Sequence, residues 1–316
     1  MKKNRKARLA FVSVTLGAAM VLGISGCGGD EKASETKNSS ATAEATKAHA
    51  ALEDLGIDPA AVGVDPNVLH DEKNTVGFQL DMPAKGDTIA IVHTGMGDIT
   101  LRFFPDQAPK AVTNFINLAE SKSYDNTSFH QVFGGSYIQG GHCGNDENNP
   151  NGVSSYGGMF EDEFCDSLCN IRGAVSMANS SQDSNGSQFL INQTTADAFK
   201  EKGGWSYYED SWSNIKEQLE NYKDSNLLSA FIEENGDKFL DTELVPDKVK
   251  SLYNSNGGNP NFDGAYNAAD RGNTVFAQVI KGMDVVDKIS AVKTDQNNVP
   301  RDRVSIKSVE ITTYKP

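Results

Sequence analysis

The 316-residue chain is poor in basic residues, in cysteine and in long apolar runs. It has 29 Lys and Arg against 43 Asp and Glu, which gives a net charge of −14. Five basic residues and no acidic residue fall in the first 26 positions, so the rest has 24 basic and 43 acidic residues, a net charge of −19. Such an acidic surface argues against nucleic acid and anionic lipid headgroups as partners.

One long apolar run is present, from Leu9 to Ile24. It is short for a membrane span and follows the basic residues, which is typical of a secretory signal. Ile24-Ser25-Gly26-Cys27 resembles a bacterial lipobox, in which the cysteine is diacylated on sulfur and becomes the mature N-terminus. An ordinary cleaved signal, or an anchor helix with an unrelated cysteine, is the alternative. We predict a lipoprotein signal peptide over residues 1–26 and a lipid on Cys27 that anchors the protein to the extracytoplasmic face of the cell membrane.

The segment after Cys27 lacks large apolar residues as far as residue 51. It cannot bury enough surface to offset its ordering entropy, so residues 27–51 are predicted to be a flexible tether. Its root-mean-square reach would be about 25–30 Å. Residues 52–85, which contain Asp58-Pro59 and Asp65-Pro66, are predicted to form a short helix or an irregular arm packed on the following domain.

Three further cysteines remain, at positions 143, 165 and 169. An odd number in an exported chain predicts one disulfide and one free thiol. The alternative is a metal site that includes His142, although neither Cys-x3-Cys nor an adjacent His-Cys pair is a familiar zinc spacing.

The globular part begins near Gly86 and reads as many short strands with two helices. Apolar and polar residues alternate in the strands, whereas the helices are predicted from Pro109 to near Ser121 and from about Met283 to Val292. The last strand, Val304 to Tyr314, shifts its alternation at Ser308-Val309, which indicates a bulge or bend. This pattern fits a closed antiparallel barrel, a mainly β fold.

An insertion at about residues 196–258 interrupts the strand pattern. Its apolar residues recur at helical spacing and predict two or three amphipathic helices. The helices either form an appendage packed on the barrel or provide a lid or partner surface. We expect the appendage; the position of the insertion just before Asn261-Phe262-Asp263-Gly264 is the one observation in favour of a lid or partner surface.

The stretch from Arg172 to Ile191 predicts a strand, a polar loop and a second strand. The loop ends in Asn185-Gly186, a strong hairpin signal. Asn179 and Gln188 flank it, and their amides can form directional hydrogen bonds with a peptide backbone. An ordinary hairpin with exposed amides is the alternative.

Four blocks of sequence carry a family resemblance. They are Phe129-His130 through Gln139-Gly140-Gly141, then residues 158–164, then Ser176-Met177-Ala178-Asn179 with Asn185-Gly186-Ser187-Gln188-Phe189, and last residues 274–286. In this order they are similar to the cyclophilin family of peptidyl-prolyl cis–trans isomerases, over residues 86–316 apart from the insertion. The resemblance implies a closed eight-stranded antiparallel barrel with a helix capping each open end, and an isomerase activity that needs no cofactor.

Isomerisation of an X–Pro amide has a barrier of about 20 kcal/mol, because twisting destroys amide resonance. A catalyst must favour the twisted state, in which the proline nitrogen is pyramidal and basic. That requires an apolar pocket for the ring, a donor aimed at the nitrogen and anchors for the flanking backbone. Metals, nucleotides and nucleophiles are not required, and the sequence shows no motif for one.

The resemblance assigns site residues with a mixed result. The family's backbone-binding residues are retained as Gln139, Ala178, Asn179 and Gln188. Its ring-pocket residues are replaced by Ser136, Tyr137, Leu190, Asn261, Phe262 and Asn273. The catalytic arginine is replaced by Gln131, which can donate a hydrogen bond without a charge. Gln131 and Gln139 are therefore the predicted catalytic residues, with activity reduced by loss of the arginine.

Three functions compete as interpretations of this sequence. The first, which we favour, is a monomeric proline isomerase that acts on proline-containing segments of exported proteins. The second is a module that binds such segments without useful catalysis. The third is a solute-binding lipoprotein of a transporter, which would require two α/β lobes that the strand pattern from Gly86 to Ile191 lacks.

Overall fold

The computed structural model describes residues 68–144, 150–222 and 227–316 of the chain. In this part of the chain the strands are β1 (Val68–Leu69), β2 (Thr88–Thr94), β3 (Gly97–Phe103), β4 (Thr127–Phe133), β5 (Tyr137–Gly140), β6 (Phe164–Cys165), β7 (Ala174–Met177), β8 (Phe189–Asn192), β9 (Val275–Lys281) and β10 (Val304–Thr313). The α-helices are α1 (Pro109–Glu120), α2 (Ala196–Glu201), α3 (Trp205–Tyr222), α4 (Leu228–Asn235), α5 (Asp247–Asn256) and α6 (Met283–Ser290). Short 3₁₀ helices lie at Phe78–Leu80, Gly236–Lys238, Pro260–Phe262 and Gly264–Tyr266.

Eight of these strands close into an antiparallel barrel in the order β10-β2-β3-β9-β7-β8-β5-β4. Strand β10 closes it, because its first residues pair with β4 and its later residues pair with β2. The change of partner occurs where the register shifts, between Ile306 and Ser308, since a bulge lets a strand bend. The predicted barrel is confirmed, and the predicted irregularity in the last strand lies next to the observed one. A two-lobed solute-binding fold is excluded.

Helices α1 and α6 both contribute to the barrel core. Phe115 of α1 is fully buried. Its ring contacts those of Phe103, Tyr124, Phe189 and Phe276. From α6, Val286 and Ile289 are fully buried in the same cluster. Truncating a ring such as Phe115 to alanine would therefore cost about 3–5 kcal/mol. Both predicted helices are present.

The insertion contains helices α2 to α5, and their apolar faces pack against the barrel loops as well as against one another. Trp212 and Phe239 share one buried cluster with Ala268 and Ala269, which follow the insertion. A second cluster joins residues of α2, α3 and α5 to Cys169 and other residues of the barrel loops. The insertion and the barrel loops therefore share hydrophobic cores.

The described part of the N-terminal arm is tied to the barrel by buried polar contacts. Strand β1 pairs in parallel with β6. Gln79 is fully buried, donates to Cys169 O and to Gln278 Oε1 (both 3.0 Å), and accepts from Cys169 N (2.8 Å). Such a satisfied buried amide fixes the arm on the domain. Residues 1–67, which include the predicted signal peptide, Cys27 and the tether, lie outside the described residues.

The expected disulfide between two of the three cysteines is wrong. Cys143, Cys165 and Cys169 are all free and buried. They belong to three different hydrophobic clusters. The Cys143 thiol instead donates to Ser123 O at 3.1 Å. Across the ranges described above, no group of three or more His, Cys, Asp or Glu side chains is arranged to hold a metal ion.

The loop between β7 and β8 joins a hairpin as predicted, but Asn185-Gly186 does not form its turn. Asn185 forms an isolated bridge with Phe160. A Cβ on Gly186 would lie 2.3 Å from Gly152 O and 2.5 Å from Asn151 O, so only glycine fits. The loop is therefore fixed by contacts with residues 151–160.

Within the three described ranges, no helix is both long and apolar enough to cross a membrane.

Candidate active site

The site is built on the outer face of strands β4, β5 and β8. In β4, Phe129 pairs with Gly140 but Gln131 pairs with Gln139, so His130 is an extra residue in the ladder. This bulge lets Phe129 point into the buried core while Gln131 is partly exposed. In a regular strand, Phe129 and Gln131 would point to the same face because they lie two residues apart. The bulge changes this, so Gln131 points outwards.

Residues paired across the sheet form a strip on this face. Gln131 pairs with Gln139, and Gln139 pairs with Leu190. Paired residues have side chains on the same face, so these three are neighbours. We call them the outer strip. The Gln131 amide makes no hydrogen bond to any residue that the structure describes, so both its donor and its acceptor are available.

An aromatic wall, made of Tyr137 and Phe262, adjoins the outer strip. Tyr137 lies two residues before Gln139 on β5, and its ring stacks on Phe133 at 4.5 Å. Phe262 meets Tyr137 edge to face at 5.4 Å and 76°. Burial, with a smaller contribution from the Asp237 carboxylate, raises the pKa of Tyr137, which stays neutral. The wall offers an uncharged surface suited to a saturated ring.

A chain of amides orients Gln139. Its Nε2 donates to Gln188 Oε1 at 2.8 Å. Gln188 is almost fully buried, and its Nε2 donates to Pro150 O (2.6 Å) and to His142 Nδ1 (2.8 Å). An amide nitrogen donates, so His142 Nδ1 is the acceptor in this hydrogen bond. His142, which the sequence suggested only as a metal ligand, thus holds Gln188.

His130, the bulged residue of β4, lies next to His142, which accepts a hydrogen bond from Gln188. Its ring is 6.2 Å from that of His142. Burial lowers the pKa of His130, so the imidazole is neutral. Its buried Nδ1 has no hydrogen-bond partner in the described part of the chain. The side of the site next to Gln139 therefore carries no positive charge from this histidine.

Asn179 and Asn273 tie together the loops beside Leu190. Asn273 Nδ2 donates to Met177 O (2.9 Å) and to Asn179 Oδ1 (3.3 Å). Asn179 Nδ2 donates to Gly272 O (2.7 Å) and to Asp162 Oδ1 (3.1 Å). Its side chain is therefore occupied. Its backbone N–H and C=O, by contrast, have no hydrogen-bond partner among residues 68–144, 150–222 and 227–316.

Two predicted binding residues, Ala178 and Ser136, form hydrogen bonds that connect neighbouring segments of the site. Ala178 is buried, and its N–H donates to Gln188 O at 2.9 Å. Ser136 Oγ donates to Asn259 Oδ1 at 3.1 Å, at the end of the insertion. Asn259 was not predicted as a site residue, because nothing in its local sequence pattern shows this distant contact.

Asp162 supports the far side of the β7–β8 loop. It accepts from Asn185 Nδ2 at 2.8 Å and from Asp183 N at 2.9 Å. Burial raises the pKa of Asp162 to about 6, against the lowering effect of these donors. The structure thus brings Gln131, Gln139 and Leu190 to one face beside an aromatic wall, and it leaves the Asn179 backbone unpaired among the described residues.

Comparison with known proteins shows what this arrangement is similar to. The family model for cyclophilin type peptidyl-prolyl cis-trans isomerases matches residues 89–206 and 255–311. A Streptococcus pyogenes protein named "Putative bifunctional phosphatase/peptidyl-prolyl cis-trans isomerase" is 33% identical over 244 residues, which are 74% of this chain and 40% of that protein. A Staphylococcus aureus protein named "Putative peptidyl-prolyl cis-trans isomerase" is 32% identical over 227 residues, which are 72% of this chain and 93% of that protein.

A solved structure also aligns with the chain. It is the crystal structure of a Cryptosporidium parvum cyclophilin type peptidyl-prolyl cis-trans isomerase in the presence of the dipeptide Ala-Pro. The alignment covers 72% of this chain and 99% of that chain, with 23% identity and a TM-score of 0.45.

Proposed function

Since this chain belongs to the family of cyclophilin-type peptidyl-prolyl cis–trans isomerases, we propose that it isomerises X–Pro bonds in exported proteins at the outer face of the cell membrane. The location rests on the sequence pattern around Cys27, whose lipid would hold the domain close to the membrane. Proline-containing segments of proteins emerging from the membrane would be the substrates.

The observation that carries the proposal is the unpaired backbone edge of Asn179 beside the aromatic wall. An extended peptide can pair with a free N–H and C=O as an added strand does. Each such hydrogen bond contributes about 0.5–1.5 kcal/mol. A peptide held there would run past Tyr137, Phe262 and Leu190, which would receive the proline ring.

Catalysis would come from amide donors near the ring. The twisted X–Pro amide has a basic nitrogen, and a donor aimed at it favours that state over the planar one. Gln131 has an unoccupied amide, and Gln139 is held in place by Gln188 at 2.8 Å. Gln131 would donate towards the nitrogen, and Gln139 would bind the flanking backbone.

Binding of proline-containing segments without useful catalysis is the second candidate function, and the presence of Gln131 in place of an arginine supports it. The family has an arginine at this position, whereas this chain has an uncharged amide. Charge-assisted hydrogen bonds are about twice as strong as neutral ones. The same groove would then bind proline segments and release them unchanged.

Exchange NMR on a proline tetrapeptide tests both candidates with lipid-free protein that starts at residue 50. An isomerase gives cis–trans exchange cross-peaks at catalytic protein concentration, and a binding module gives only chemical-shift changes. Phe262→Ala should weaken binding about tenfold or more, because it removes one half of the aromatic wall. Tyr207→Ala, which removes an exposed ring of the insertion, is the matched control. A wild-type protein that neither binds nor isomerises the peptide would contradict both candidates.

A further inference from the structure

A buried hydrogen bond connects the helical insertion to the segment that carries Phe262. Tyr253, on α5 of the insertion, is fully buried and donates to Asp263 Oδ2 at 2.6 Å. Asp263 directly follows Phe262 and is itself almost fully buried. A buried carboxylate needs donors, so the hydroxyl contributes to fixing this segment.

The second oxygen of Asp263 continues the connection. Asp263 Oδ1 accepts from Asn170 N (2.7 Å) and from Asn170 Nδ2 (3.0 Å). The same Nδ2 also donates to Phe262 O at 2.9 Å. Tyr253, Asp263, Asn170 and Phe262 thus form one continuous chain of contacts.

The end of the insertion is fixed independently on the other side of the aromatic wall. Asn259 donates from Nδ2 to Asn192 Oδ1 at 2.8 Å, and its Oδ1 accepts from Ser136 Oγ and Thr194 Oγ1, both at 3.1 Å. A Cβ on Gly258 would lie 2.4 Å from Asn170 O. The segment from 257 to 263 therefore has little freedom to move, and among the described residues Tyr253 provides its one link to helix α5 through a polar side chain.

We propose that Tyr253 is a positioning residue for the isomerase site: through Asp263 and Asn170 it holds the Phe262 ring against Tyr137, so that the insertion sets the width of the proline pocket. The proposal rests on the proposed function, because it assigns a role to the aromatic wall in binding the proline ring. In this proposal, helix α5 supports the site, and the insertion contributes to substrate binding.

The charge state of Asp263 makes this connection sensitive to pH. Burial raises its pKa to about 7, while the donors Tyr253 and Asn170 lower it. The ionisable groups that interact with it from the surrounding elements are Tyr208, Tyr253, Tyr266 and Cys169. Burial raises the pKa of each of these, so all are neutral near pH 7. Removing the Tyr253 hydroxyl should therefore raise the pKa of Asp263 further.

The test compares Tyr253→Phe with Tyr208→Phe in the protein that starts at residue 50. Tyr208 belongs to the same buried cluster, but its hydroxyl makes no hydrogen bond within the described residues. Tyr253→Phe should weaken binding of a proline tetrapeptide several-fold, as measured by NMR titration, and Tyr208→Phe should not. In a Phe262→Ala background, Tyr253→Phe should have no further effect. Equal Kd values for the two tyrosine variants, or an undiminished effect in the Phe262→Ala background, would overturn the proposal.

A second measurement does not depend on peptide binding. The ring resonances of Phe262, and their NOEs to Tyr137, should change with pH around a midpoint near 7 in the wild type. The midpoint should move upwards in Tyr253→Phe and stay in place in Tyr208→Phe. This measurement distinguishes failure of the proposed function from failure of the positioning role. A wild-type protein that binds no proline peptide contradicts the proposed function. Phe262 resonances that do not follow the titration of Asp263 contradict the positioning role. If Tyr253→Phe does not fold, the wild-type titration still tests the step from Asp263 to Phe262, and the absence of that titration would overturn the proposal.

Discussion

Replacing Gln131 with arginine is expected to raise kcat/KM for X–Pro isomerisation by about one to two orders of magnitude. A guanidinium at this position would place a charged, forked donor beside the proline nitrogen. The substitution breaks no existing contact, because the Gln131 amide has no hydrogen-bond partner among the described residues. Neutral His130, the preceding residue, adds no repulsion, since burial lowers its pKa.

The magnitude follows from the change in donor. A charge-assisted hydrogen bond in place of a neutral one is worth about 2–3 kcal/mol in the transition state, which corresponds to about 30- to 150-fold in rate. The expected gain is somewhat smaller, because Ser136 and Leu190 fill less of the ring pocket than the family's aromatic residues. Peptide affinity should change little, since the planar amide gains little from the added charge.

Exchange NMR on one proline tetrapeptide reports both the rate and the Kd. Gln131→Met, which has a similar length but no donor, should isomerise more slowly than the wild type. Gln131→Lys, which adds a charge without a planar fork, should fall between the wild type and Gln131→Arg. The reasoning would be refuted by a Gln131→Arg protein that binds the peptide normally yet isomerises it no faster than Gln131→Met.

Four further predictions concern the surroundings of the site and the anchor. His142→Leu removes an acceptor from Gln188 and should raise the peptide Kd by about two- to tenfold in an NMR titration; an unchanged Kd would mean that Pro150 O alone holds the amide. The pKa of Asp263 rises from 3.8 to about 7 on folding, so its contribution to the unfolding free energy should fall by about 2–4 kcal/mol as pH rises from 4 to 7; in urea denaturation the total fall should be smaller by this amount in Asp263→Asn than in the wild type. Replacing residues 196–258 with a short Gly/Ser loop should abolish cooperative thermal unfolding, because barrel loops share a core with the insertion; a sharp transition by circular dichroism would contradict this. Cys27→Ser should leave the protein unacylated, as mass spectrometry would show, and retention of an uncleaved segment in membranes would identify an anchor helix instead.

Much of the barrel could be predicted because strand alternation records which face each residue buries. Helix α1 runs from Pro109 to Glu120, close to the predicted bounds, and the short strands that alternate apolar and polar residues form the barrel. Gln139 and Gln188, both assigned to the site by the family resemblance, form a hydrogen bond at 2.8 Å. The roles of these residues in binding and catalysis remain predictions.

Features set by register and by distant contacts could not be predicted. The bulge at His130 depends on the pairing of β4 with β5, and local alternation does not reveal it. Cysteine number alone predicted a disulfide, but all three thiols are free and are buried in separate clusters. The buried bond from Tyr253 to Asp263 joins a helix to a loop, and helical periodicity shows only that Tyr253 faces inwards.

Where this chain departs from the family's pocket residues, the replacements are mostly accounted for by new contacts. Ser136 is short enough to leave room for Asn259, with which it forms a hydrogen bond at 3.1 Å. Asn273 spans Met177 O and Asn179 Oδ1, and Tyr137 packs on Phe262. These three changes adapt the site to the insertion and its flanking loop. Gln131 differs, because its amide makes no hydrogen bond in the described part of the chain. No new contact therefore accounts for the loss of the arginine. The Gln131 amide is therefore the group that the proposed function assigns to the proline-containing peptide.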